Sequence, residues 1–229
     1  MLLLGIDDAG RGPLIGPMIL AGILMHKDKN SFFKEKGIKD SKLLEHKKRV
    51  ELVKIIKENS IDSFIVMSSP EEIDSSIRSG TNLNTLEAIK CAMIINRLNN
   101  KERQKEKIKV IIDCPSVNIK AWTSTLTKFI EHPKNLDINC EHKADFNHPV
   151  VSAASILAKV TREEEVKKIK EEHKKFGKLG SGYPSDPDTK EFLKNHGKEL
   201  KDSGIFRKTW ATWKSIFPEE NQSTLGGFK

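Results

Sequence analysis

The chain is poor in the residues that would name a class at sight. Three cysteines stand among 229 residues, at Cys91, Cys114 and Cys140, and no two have the C-x-x-C spacing of a thiolate zinc site. A disulfide framework is excluded on the same ground, and a reducing, cytoplasmic compartment is the expectation. No apolar run reaches the length of a membrane span. The opening MLLLGIDD is short, lacks a basic flank and meets two acids at once, so it reads as a buried strand rather than a leader or an anchor. Internal repeats and sustained heptads are also missing, which leaves a monomer as the simplest expectation. Acids are outnumbered: 40 Lys and Arg face 32 Asp and Glu, for a net charge of +8 and a pI near 9.2. That balance suits a polyanionic partner, although composition alone slightly favours a solvated, mildly basic surface.

What is present is an alternation of short apolar runs with helical periodicity. Residues 2–7 and 17–25 read as two strands joined by the Gly/Pro-rich GRGPLIG. Apolar residues at helical intervals (Leu44, Val50, Val53, Ile56) predict a helix over residues 43–58, followed by a strand at 62–67. Asn82 is placed to cap a helix running to residue 98, and 99–107 reads as a charged loop. Two more short strands follow at 109–113 and 136–140, and Pro149 opens a long helix to about residue 175, stopped by Gly177 and Gly180. Strands interleaved with helices predict an α/β fold, with a helical tail from 186 to 217.

The acids fall where such a fold collects ligands. Asp7, Asp113 and Asp145 each sit at or beyond the carboxyl end of a separate predicted strand. Strands lie about 4.8 Å apart, so carboxylates on neighbouring ends could share divalent ions. Oxygen donors without a nearby His–Cys constellation favour Mg²⁺ or Mn²⁺ over zinc. Any one of these acids taken alone is as readily a turn or cap residue.

Six ordered blocks then narrow the field. GIDDAGRGPLIGP at 5–17 resembles the ribonuclease HII signature G-x-D-E-A-G-R-G-P-x-x-G-P. It is followed by DSKLL at 40–44, NLNTLEA at 82–88, VIIDCP at 110–115, HKAD with HPVVSAASILAKVTR across 142–162, and GSGYPSDP at 180–187. The ending RKTWATW at 207–213 looks most like archaeal members. The resemblance implies a ribonuclease H-like mixed five-stranded sheet flanked by helices. Its expected divisions are a catalytic domain at 1–180, a C-terminal helical part at 181–217 and a tail at 218–229. It further implies an endonuclease for the RNA strand of RNA–DNA hybrids and for single ribonucleotides embedded in duplex DNA. Two-metal catalysis would leave 5′-phosphate and 3′-hydroxyl ends. Another two-metal nuclease of the same fold, or a non-catalytic hybrid-binding protein associated with a sliding clamp, are the alternatives.

Carried over by motif, the four acidic positions fall on Asp7, Asp8, Asp113 and Asp145. Asp8 departs from the family's usual Glu by one methylene. Successive strand residues face opposite ways, so Asp8 can join Asp7 only at a bend or through its backbone carbonyl. Gly10, Arg11 and Gly12 match the turn that recognises the ribonucleotide through its 2′-hydroxyl. Tyr183, the one tyrosine of the chain, matches the residue that packs on the sugar at the RNA–DNA junction, and Lys42 matches a phosphate contact. Ser152 and Ser155, in the first turns of the helix opened by Pro149, suit phosphate binding or helix capping. His148 stands where many relatives have Tyr and is expected to hold neither metal nor catalytic duty. The terminal QSTLGGFK resembles a clamp-binding peptide, with Gln222, Leu225 and Phe228 as its anchors and Lys229 in place of the last aromatic.

Overall fold

The computed structural model describes residues 1–38 and 44–218. Lys42 and the tail residues Gln222, Leu225 and Phe228 therefore lie outside the described residues. The chain forms an α/β fold around a mixed five-stranded sheet. Its strands are β1 (Leu2–Ala9), β2 (Met18–His26), β3 (Asp62–Ser68), β4 (Ile108–Asp113) and β5 (Leu136–Glu141), in the order β3-β2-β1-β4-β5. β1 pairs antiparallel with β2, and β1, β4 and β5 run parallel. Parallel strands put their carboxyl ends at one edge of a sheet, and those three are the strands ahead of the candidate acids.

Contacts group the chain into two compact units, both discontinuous. One unit comprises Met1–Ala9, Ile19–Met67 and Asn82–Arg162; the other comprises Gly10–Met18, Ser68–Thr81 and Glu163–Lys229. In the first unit, β1 is buried along Leu2–Asp7, as expected of a central strand covered on both faces. One face is covered by α1 (Lys29–Glu35), α2 (His46–Asn59) and the opening of α7 (Pro149–Glu172). There Leu3, Ile23 and Ile111 of the sheet join Phe33, Ile56, Val150 and Ala154 in one apolar cluster. Gly5 lets α7 approach: a Cβ at Gly5 would lie 2.4 Å from the Val150 carbonyl. The other face carries α4 (Leu83–Leu98), whose Ile94 rests on Gly22, and α5 (Ile119–Thr127), whose Trp122 indole donates to Asn84 O at 2.9 Å.

The second unit contains α3 (Pro70–Arg78), the end of α7, α8 (Pro187–His196) and α9 (Ala211–Ile216). Its core is Leu14, Ile15, Leu179, Phe192, Leu193, Phe206, Trp213 and Phe217. The Asn82 cap is present, accepting from Thr85 N at 2.9 Å. Helices α1, α3 and α5 go unforeseen in the sequence, having only seven to nine residues, too few for a periodicity to declare itself. The α7 helix ends at Glu172 rather than near 175, and a 3₁₀ turn at Lys174–Phe176 supplies the difference. All three cysteines are buried and unpaired by disulfides, and no helix among the described residues is long and apolar enough to cross a membrane.

Candidate active site

Strand alternation decides which acids meet. In β1 the odd positions Leu3 and Gly5 face α7, so Asp7 faces it too, while Asp8 turns toward α4. The register Ile6↔Ile112 puts Asp113 beside Asp7 at the edge where β4 ends. Asp145 arrives from the far side of β5, on the short α6 (Ala144–Asn147). One carboxylate oxygen from each of Asp7, Asp113 and Asp145 lies within 4.8 Å of the others. Asp8 is not in that group. It pairs with Leu20 in the β ladder and lines a cavity of about 10 Å³ together with Asp7, Asp113, Glu87 and Cys91.

Each of the three has its own brace. Asp7 is buried, accepts the Asp8 N–H at 2.8 Å and is hydrogen-bonded by Ser155 of α7. Asp113 accepts the Ala144 N–H at 3.1 Å, which ties β4 to α6. The chain enters α6 through Lys143 in the left-handed conformation, φ 59°. Glu141, at the end of β5, accepts from Asn139 (2.9 Å), Asn147 (3.2 Å) and the His148 ring (2.9 Å), clasping the C-terminal end of α6 to β5. His148 is thus engaged in a brace. Glu141 carries no signal of its own in the sequence, being one acid among 32 Asp and Glu.

The electrostatics ask for cations. Burial pushes the Asp7 carboxyl well above the usual carboxylate range, and the charges of Asp8, Asp113 and Asp145 push the same way, against the Ser155 hydrogen bond. A group of acids that opposes its own ionisation is relieved by a divalent ion, and three hard oxygen donors fit one. The geometry and the donor chemistry therefore suit Mg²⁺ or Mn²⁺.

Ser152 and Ser155 are both fully buried in the first unit. Ser155 spends its hydroxyl on Asp7, so its place is behind the acids rather than on a phosphate. Gly10, Arg11, Gly12 and Tyr183 belong to the second unit. Gly10, with φ 83°, and Arg11 are partly buried, and Gly12 is exposed. A Cβ built on Gly12 would lie 3.8 Å from Tyr183 Cε1, so turn and tyrosine are neighbours there. Tyr183 is 44% exposed, a large ring left open to solvent. Its loop is fastened beneath: Gly182 O accepts from Leu14 N (2.8 Å) and Ile15 N (3.2 Å), and Gly182 N donates to the buried Thr189 hydroxyl at 2.9 Å.

Known proteins agree with this arrangement. The family model for ribonuclease HII matches residues 4–213. A ribonuclease HII of Methanococcus maripaludis is 40% identical over 227 residues, covering 98% of this chain and 90% of the relative. The crystal structure of the ribonuclease H2 from Pyrococcus horikoshii superposes with a TM-score of 0.83 at 35% identity, over 97% of this chain and all of that one. The ribonuclease HII of Archaeoglobus fulgidus, solved in complex with PCNA, gives 0.77 at 34% identity, covering 92% and 95% of the two chains. With the sheet, the three carboxylates and the length of these matches in agreement, the chain belongs to the ribonuclease HII family, enzymes that cut the RNA strand of RNA–DNA hybrids.

Proposed function

We propose that the protein also incises duplex DNA on the 5′ side of a single embedded ribonucleotide, and that it works with two divalent cations, Mg²⁺ or Mn²⁺. The observation that carries this is the meeting of Asp7, Asp113 and Asp145, with ligand oxygens within 4.8 Å of one another. Asp7, Asp113 and Asp145 would hold the cations, whose chemistry when bound would be to lower the pKa of an attacking water and to stabilise charge developing on the phosphoryl oxygens. The chain's own part is preorganisation. Ser155 holds Asp7, the Ala144 N–H holds Asp113, and the Glu141 clasp holds the helix bearing Asp145, so the ligands stand ready before substrate arrives. Asp8 contributes its charge beside Asp7 and its backbone carbonyl, since its carboxylate faces α4. Hydrolysis breaks the P–O3′ bond: water supplies the oxygen of the new 5′-phosphate, and the departing O3′ takes up a proton to give a 3′-hydroxyl.

Specificity falls to the second unit. Gly10-Arg11-Gly12 reads the 2′-hydroxyl, and the exposed Tyr183 ring beside Gly12 packs on the sugar at the RNA–DNA junction. Lys42 is assigned a phosphate. The tail anchors Gln222, Leu225 and Phe228 are assigned to a sliding clamp, a reading supported by the Archaeoglobus relative solved with PCNA. The deciding experiment is incubation with Mg²⁺ or Mn²⁺ and a DNA duplex holding one ribonucleotide. A nick 5′ of that ribonucleotide is expected. No cut with either metal would sink the two-metal reading, and cutting confined to long RNA tracts would sink the junction reading.

A further inference from the structure

A guanidinium lies shut inside the second unit. Arg207 is fully buried, and it donates four hydrogen bonds to carbonyls of the turn at 10–16: Nε to Gly16 O (3.0 Å), Nη2 to Gly16 O (2.9 Å) and Gly10 O (2.6 Å), and Nη1 to Arg11 O (2.7 Å). The Trp210 ring lies 5.0 Å from this guanidinium and donates its Nε1–H to Gly12 O at 3.0 Å. Every carbonyl of Gly10-Arg11-Gly12 is therefore held by one of two side chains from the far end of the chain.

Those two side chains are themselves fastened. Arg207 N donates to Leu14 O and Gly16 N to Ile205 O, both at 2.9 Å, around an antiparallel bridge between Ile15 and Phe206. The buried Asp74 of α3 accepts from Lys208 N (2.6 Å), Thr209 N (3.0 Å) and the Thr209 hydroxyl (2.6 Å). A guanidinium withdrawn from water is costly to keep unless its donors are met, and here they are met by the turn. A trans peptide sets its C=O and N–H on opposite sides, and no peptide among the described residues is cis. Drawing the carbonyls of Gly10 and Arg11 onto Arg207 therefore directs the N–H groups of Arg11 and Gly12 away from it. At the third peptide Pro13 has no N–H to direct.

We propose that Arg207 and Trp210 are positioning residues for ribose recognition: Arg207 holds the Gly10–Arg11 and Arg11–Gly12 peptides in the orientation that offers their N–H donors to the 2′-hydroxyl oxygen, and Trp210, through Gly12 O, anchors the end of the turn against which the second of those peptides is set. The inference rests on the assignment of that turn to the ribonucleotide. Trp210→Phe keeps an aromatic ring over the guanidinium and removes the hydrogen bond to Gly12 O together with the pyrrole part of the indole. Arg207→Lys keeps the charge and loses the fork. On a duplex with one ribonucleotide, in Mn²⁺, the KM of Trp210→Phe should rise about 3- to 10-fold, the worth of one hydrogen bond, and that of Arg207→Lys further. The kcat, the affinity for an all-DNA duplex of the same sequence and the affinity for Mn²⁺ should hold. An unchanged KM overturns the proposal, as does a parallel loss of all-DNA and Mn²⁺ affinity, which would mark a general defect of folding. Should Arg207→Lys fail to fold, Trp210→Phe alone decides. A parent protein that leaves this duplex uncut would instead remove the assignment of the turn, and the inference with it.

Discussion

The acidic group of the first unit and the turn at residues 10–16 of the second are built on opposite electrostatic terms. Asp7, Asp113 and Asp145 converge as like charges, and burial raises the Asp7 carboxyl further, so the protein alone leaves this region under stress. At the turn, a buried cation and an indole N–H meet backbone carbonyls, and donor and acceptor satisfy each other inside the chain. A catalytic group gains from being unsatisfied, because the missing charge is what it recruits. A turn that discriminates by hydrogen bonding gains from having its unused polar groups already met, so that only the reading face remains to be paired.

Three changes would break or sharpen this contrast. The largest effect belongs to Asp113→Asn, which removes a ligand of the acidic group and should abolish cleavage. Binding to a duplex with one ribonucleotide, measured in chelator by fluorescence anisotropy, should persist, and its loss would deny the separation of catalysis from recognition. Next is Ser155→Ala, which leaves every ligand in place and deprives Asp7 of its brace. Mn²⁺ affinity by calorimetry should weaken about 10- to 100-fold, the usual worth of a group supporting a ligand, and saturating Mn²⁺ should restore most of the rate. An unaltered Mn²⁺ titration would take Ser155 out of the design. The smallest effect is on stability. The folded-state pKa of Asp7 is raised, so its ionised form opposes folding, and the chelated protein should lose stability as pH rises from the carboxylate range toward neutrality. Asp7→Asn should remove that loss. At neutral pH in chelator its melting temperature should exceed the parent's by about 2–4 °C for each kcal/mol relieved, and Mn²⁺ should stabilise the parent far more than the variant. A chelated variant that melts lower than the parent would show that the acids are not under stress.

Much of the site was legible in the sequence because its signals are local. GIDDAGRGP, VIIDCP and HKAD each carry a residue type beside a strand end, and period-two alternation already separates Asp7 from Asp8. In the structure Asp7 faces α7 and Asp8 turns toward α4, while both of them, with Asp113, line one small cavity beside Glu87 and Cys91. Ser155 was legible as a helix-opening serine but not as a brace, since its hydroxyl could have served solvent, the helix end or the acids. Arg207 and Trp210 stand in RKTWATW, which has the look of any basic, aromatic surface helix, and nothing nearby marks either as a partner of residues 10–16.

The sequence by itself determined the strand ends, the acids on them and the glycines that let the chain turn and approach closely, because backbone stereochemistry and a two-residue period act over a few residues. Only the tertiary structure decided that Glu141 clasps α6, that Ser155 lies behind Asp7 and that a buried arginine grips the turn. Such a hydrogen bond joins groups up to 197 residues apart, and its worth depends on the exclusion of water, which exists only once the core has closed.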